Sequence, residues 1–131
     1  MINLTEDLKM ARVARDNAKS TTYNVGAVLK CKNGNKYTGC NIENQGIQSI
    51  CAERVAFVKA ISEGETDFER ILVIGAPKDS DDLERCLPCG YCRQFLKQYT
   101  DKDFKIYTFY DDKIEEYTVD ELLPYSFDGN K

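Results

Sequence analysis

Ile71-Leu72-Val73-Ile74-Gly75-Ala76-Pro77 is the segment that most narrows the folds open to this chain. A continuous apolar run of strand length lacks the alternation of a half-wet strand, so it reads as a strand covered on both faces. Such a strand needs two covers, and helical patterns on either side of it in the sequence supply them. Leu4, Leu8, Ala11, Ala14 and Ala18 recur at helical spacing behind Asn3, a cap candidate with Glu6 three residues on, which predicts an amphipathic helix over 3–19. Ala52, Val55, Ala56, Ala60 and Ile61, widened by Phe57 and Val58, predict a largely buried helix over 51–63, ended by Gly64. Pro88 introduces a third helix over 89–99, where its missing amide hydrogen does no harm.

The remaining patterns are strands. Residues 25–32 and 35–43 flank Asn33-Gly34, a hairpin signal because this pair tolerates the positive backbone angles of a tight turn. Residues 104–110 and 114–119 meet across Asp111-Asp112, a connection short enough only for antiparallel strands. Leu122 and Leu123 form a last short helix, and 124–131 a tail. Helix, hairpin, helix, strand, helix, hairpin, short helix describes a mixed sheet with helices on its faces. With 131 residues, no repeat and no linker, residues 1–131 are expected to form a single domain.

Composition removes several classes of function. No apolar run approaches the roughly 20 residues of a membrane span, so no membrane association is expected. A net charge of −4, with Lys and Arg spread along the chain, leaves no basic face for phosphates and excludes a nucleic-acid partner. Met1-Ile2-Asn3-Leu4-Thr5-Glu6 is acidic where a secretory signal is basic, so the expected location is cytoplasmic. In that reducing compartment, a spaced subset of the six cysteines reads as metal-binding or catalytic rather than as disulfides.

That subset is Cys51 with Cys89 and Cys92, and Glu53 stands two residues after the first of them. The chain has no histidine, so a transition metal would be held mainly by thiolates, which favours zinc. Three protein ligands leave one corner of a tetrahedron for water, the mark of catalytic zinc. Both cysteine sites open predicted helices, where free amides and the helix dipole favour thiolate over thiol. Arg54 and Arg93 each follow a site residue directly and are candidates to donate hydrogen bonds to a ligand sulfur and offset the excess negative charge. Blander readings stay open at this point. Cys-x-x-C alone is often a redox pair or half of a structural zinc site; Cys86 could be a fourth, closing ligand; and Glu53 could be a salt-bridged surface carboxylate. Cys31 and Cys40 read as small residues of hairpin strands.

Val25-Gly26-Ala27, Gly39-Cys40-Asn41-Ile42-Glu43-Asn44, Cys51-Ala52-Glu53-Arg54, Pro88-Cys89-Gly90-Tyr91-Cys92-Arg93-Gln94 and Leu122-Leu123-Pro124 together resemble the small homotetrameric cytidine deaminases across nearly the whole chain. The resemblance implies an α/β, three-layer cytidine-deaminase-like fold: a mixed five-stranded sheet, helices on both faces and an antiparallel C-terminal hairpin. It implies zinc on Cys51, Cys89 and Cys92, and Glu53 as the proton shuttle in hydrolytic deamination of free cytidine and 2'-deoxycytidine. It further implies that Asn41 and Glu43 hold the ribose, that Tyr23 stacks on the base, that Ala52 contributes to the substrate site, and that Phe127 reaches a neighbouring subunit's site in a homotetramer. A related branch that deaminates a cytosine-containing antibiotic of the blasticidin S type shares the zinc-site elements. Three positions depart from the family pattern: six residues, 45–50, stand between Asn44 and Cys51 where seven are usual, Leu87 replaces a serine, and Tyr91 replaces a small residue between the two cysteines.

Overall fold

The computed structural model describes residues 2–45 and 47–128. Five strands form one sheet in the order β2-β1-β3-β4-β5, built from β1 (Tyr23–Cys31), β2 (Lys36–Cys40), β3 (Phe68–Pro77), β4 (Lys105–Tyr110) and β5 (Lys113–Thr118). Only β3 and β4 run parallel, and the other pairs are antiparallel, so the sheet is mixed as expected. The apolar run lies in the central strand β3, where residues 70–76 are all buried.

Its two covers are the helices. On one face, Leu4, the cap of α1 (Thr5–Arg15), and Ala11 within it pack with Val28, Leu72, Ile74 and Tyr107. On the other, Ala52, Ala56, Phe57 and Ala60 of α2 (Ala52–Ser62) and Leu96 of α3 (Gly90–Tyr99) pack with Ala27, Leu29, Ile71, Val73 and Ile106. Alternate residues of β1 and β3 therefore enter opposite cores, as strand geometry requires. A single turn, α4 (Val119–Leu122), follows β5 and carries a full capping box between Thr118 and Glu121.

Several boundaries differ from the sequence reading. α1 stops at Arg15, not at residue 19, because the chain tightens into i+3 turns, with Asn17 N on Ala14 O and Ala18 N on Arg15 O, and Lys19 then pairs with the segment after β2. The Arg15 guanidinium turns inward and donates to the carbonyls of Asn24, Ala76, Pro77 and Ser80. α1 also begins with Leu4 at the cap position, while the Asn3 side chain accepts from Thr5 N at 3.0 Å. β2 ends at Cys40, since Asn41 turns its side chain onto β1. The short helix comprises 119–122 rather than centring on Leu122 and Leu123. At the Asn33-Gly34 turn only Gly34 takes a positive φ, +96°, whereas Asp111 and Asp112 both do, at 51° and 57°. The second hairpin is thus the one with the two-residue turn that needs positive φ twice, and aspartate tolerates it.

One polar cluster is buried between α1 and the sheet. Asp7, 1% exposed, accepts from Lys36 Nζ at 2.6 Å and from Arg70 Nε at 3.1 Å. Among the described residues no helix is long and apolar enough to cross a membrane.

Candidate zinc centre and adjoining cavity

Two helix starts meet at the site. Cys51 caps α2 and Cys89 caps α3; both have extended backbone angles, and neither helix's first amides are capped by a side chain. Cys92 is the third residue of α3, so one helical turn brings it to the same side as Cys89. The three sulfurs lie within 4.8 Å of one another, with Cys51–Cys89 and Cys89–Cys92 each at 3.6 Å. A tetrahedral zinc ion with sulfurs at about 2.3 Å sets them about 3.8 Å apart, so the cluster fits zinc with little adjustment. Cys51 is half-buried, Cys89 exposed and Cys92 buried. Cys86 is not part of the cluster among the described residues, so the four-cysteine closed site has no support in the geometry.

The electrostatics favour metal binding. Hydrogen bonding from the Cys92 thiol, then from Cys89 and Arg54, pulls the Cys51 thiol down to about 5 against the effect of burial. Cys92 is pushed up by the same hydrogen bond and by burial. Burial pushes the Glu53 carboxyl up to about 7, with its own backbone amide opposing and the Cys51 charge adding to the rise. Glu53 is only 4% exposed on the first turn of α2, so it is no surface carboxylate.

α2 is seated by Gly39. A Cβ at Gly39 would come within 2.2 Å of the Ala52 carbonyl oxygen and 2.7 Å of the Ala56 amide nitrogen, so helix backbone rests directly on β2. Ala52 itself is fully buried in the core beneath α2, and its side chain does not line the adjoining cavity. The two arginines divide. Arg54 Nη2 donates to Ser49 O at 3.1 Å and approaches Cys51 Sγ at 4.0 Å, and its guanidinium lies 4.2 Å from the centre of the Tyr91 ring. Arg93 corrects the expectation of a sulfur partner. It donates to the carbonyls of Pro88 at 2.6 Å and Leu122 at 2.7 Å, holding the chain just before Cys89 against α4.

A cavity of about 500 Å³ opens beside Cys51, lined by Thr21, Asn41, Glu43, Ser49 and Ile50. That volume is within the range of small-molecule sites. Asn41 is held rigidly, accepting from Val25 N at 2.9 Å and donating to Tyr23 O at 2.8 Å, while Glu43 accepts from the amide and hydroxyl of Thr21. Tyr23 opens β1 and donates to Glu84 at 3.1 Å, with burial raising its phenol pKa. Phe127 stands apart: it is 69% exposed and lines a separate groove on α3 with Tyr91, Phe95 and Tyr99. Sequence reasoning missed Thr21 as a cavity residue, and no motif marks it. It also passed over Gly39 as a positioning residue, although glycine inside a strand is itself a sign of close backbone approach.

Comparison with known proteins agrees with this geometry. Residues 3–108 match the family described as "Cytidine and deoxycytidylate deaminase zinc-binding region". A cytidine deaminase of Halalkalibacterium halodurans is 39% identical over 124 residues, covering 92% of this chain and 90% of that protein. A blasticidin-S deaminase of Bacillus cereus is 29% identical over 134 residues, covering 95% and 94%. The crystal structure of a cytidine deaminase from Burkholderia pseudomallei superposes with a TM-score of 0.82 at 26% identity, covering 96% of this chain and all of that one. With a matched region that spans both helix starts and all three sulfurs, the chain belongs to the cytidine and deoxycytidylate deaminase zinc-binding family.

Proposed function

We propose that the protein hydrolyses free cytidine and 2'-deoxycytidine to uridine and 2'-deoxyuridine with release of ammonia. The observation that carries this reading is Glu53, a buried carboxylate on the first turn of α2 beside Cys51, the one of the three clustered sulfurs whose residue also lines a small-molecule cavity. Zinc held by Cys51, Cys89 and Cys92 supplies the Lewis acidity that makes water a nucleophile near neutral pH. Glu53 takes a proton from the attacking water and delivers protons to the ring nitrogen and then to the departing amine, so that water and cytidine yield uridine and ammonia. Asn41 and Glu43 face the sugar and Tyr23 the base, and Ala52 adjoins the substrate site at the head of α2. Arg54 offsets the charge of three thiolates, and Arg93 fixes the chain that carries Cys89.

The protein acts as a single domain in the cytoplasm and assembles as a homotetramer, with Phe127 presented to a neighbouring copy. The exposure of Phe127 beside other aromatic side chains on α3 supports that assembly. Ammonia release from cytidine, deoxycytidine, cytosine and blasticidin S tests the reading. Turnover of the two nucleosides is expected; activity on the antibiotic alone would move the protein to the related branch. Glu53→Gln should retain zinc and fold while losing turnover by several orders of magnitude, and an active variant would remove Glu53 from the chemistry.

A further inference from the structure

We infer that Tyr91 is a positioning residue of the zinc centre, acting through Arg54. This inference rests on zinc being held by Cys51, Cys89 and Cys92. Tyr91 lies between two of those cysteines on the first turn of α3, and its side chain is 66% exposed, so the core gains little from it. Its ring crosses instead to α2 and covers the Arg54 guanidinium, 4.2 Å from centroid to carbon. Among the described residues Arg54 meets the Tyr91 ring, the Ser49 carbonyl and the Cys51 sulfur at 4.0 Å, and it also interacts with the Cys92 sulfur. Its Nε is buried and has no hydrogen-bond acceptor.

An unpaired buried Nε needs a physical account, because a guanidinium free to reach solvent would hydrate it. The aromatic face provides one. It lies against the cation, excludes water from that side, and offers the negative side of its quadrupole in place of a hydrogen bond. The guanidinium can then turn its Nη2 edge to both Ser49 and Cys51, which ties the cavity segment to a metal-ligating sulfur. α2 and α3 each hold part of the cluster; Phe57 and Phe95 join the two helices in the core, and the Tyr91–Arg54 stack joins them at the cluster itself, a direct clasp between the two sources of ligands. A small residue at position 91 would leave the guanidinium hydrated and free to swing away from the sulfur.

The test compares the zinc-loaded native protein with Tyr91→Ala and Tyr91→Phe. Zinc release to a chromogenic chelator should quicken about two- to five-fold in Y91A, the factor that an exposed cation–aromatic contact carries, and stay near native in Y91F, which keeps the ring. Cobalt-substituted proteins give a second reading that a purely structural role would leave unmoved. Loss of a guanidinium hydrogen bond raises the energy of the sulfur lone pairs, so the thiolate-to-cobalt charge-transfer band should move to longer wavelength in Y91A and remain in place in Y91F. Native zinc-bearing protein with unchanged release and an unshifted band in Y91A would overturn the inference and leave the zinc reading standing. A native protein that binds no zinc would overturn both.

Discussion

Gly39→Ala is the substitution for which the structure gives the clearest magnitude. The added methyl would lie 2.2 Å from the Ala52 carbonyl oxygen and 2.7 Å from the Ala56 amide nitrogen, with Val55 Cβ at 3.1 Å. Two of these neighbours are backbone of α2 and cannot rotate away. Relief to an ordinary contact requires α2 to recede from β2 by about 1 Å, a displacement large enough at a reacting centre to cost about 10²-fold in rate. It carries Cys51 and Glu53 with it, but not Cys89 and Cys92, which stand on α3. Overpacking of this kind costs about 1–3 kcal/mol, which for a domain of this size is a fall of roughly 4–11 °C in melting temperature. Thermal unfolding followed by circular dichroism, with ammonia release from cytidine, measures both. A variant that melts within about 1 °C of native and keeps its turnover would refute the argument that α2 is seated by backbone contact.

Gly90→Ala is the contrasting case: nothing lies within 4 Å of the added methyl at the first position of α3, so stability should hold or rise by about 0.4–1 kcal/mol in urea unfolding. Asp7→Ala leaves Arg70 and Lys36 without their buried carboxylate and should cost about 3 kcal/mol by the same measurement, with the zinc content unchanged. Cys86→Ala should retain one zinc per chain by metal analysis, because Cys86 is outside the sulfur cluster; loss of the metal would make that residue a ligand after all. Arg85, with Tyr110 and Tyr117, holds the Glu115 carboxyl down at about 2. Its folded pKa is below its unfolded one, so this contribution is complete above about 4.5 and disappears as pH falls through about 2. Glu115→Gln should therefore melt below native protein at pH 7, with the gap closing as the pH approaches 2.

What could be read from the sequence and what could not differ in physical kind. The apolar run of β3 and the helical repeats of α1 and α2 report burial, which is a property of each segment by itself, and the structure puts them where that property demands. Cys51, Cys89 and Cys92 could be singled out because ligand chemistry restricts residue type and spacing, and the structure gathers their sulfurs; Glu53 was singled out by its place beside them, and the structure buries it. The contacts that aim these groups follow a different rule. Arg93 was expected at a sulfur because it follows Cys92, yet it bonds two carbonyls, one of them 29 residues away in α4. Arg15 looks like one more charge in the last turn of α1, yet it binds four carbonyls of the sheet and its following loop.

A backbone carbonyl has no residue identity, so an arginine that seeks one leaves no partner to find in the sequence. Tyr91 and Arg54 fall between the two kinds. Both stand in the motif, 37 positions apart, but only the meeting of α2 and α3 shows that the tyrosine covers the arginine. The same meeting brings Cys51 to Cys89, and a glycine on β2 determines how closely α2 can approach. The position of the zinc centre is therefore decided by backbone packing at Gly39, while its chemistry is decided by four side chains. Substituting Gly39 should disturb catalysis and stability together, whereas substituting Glu53 should disturb catalysis alone.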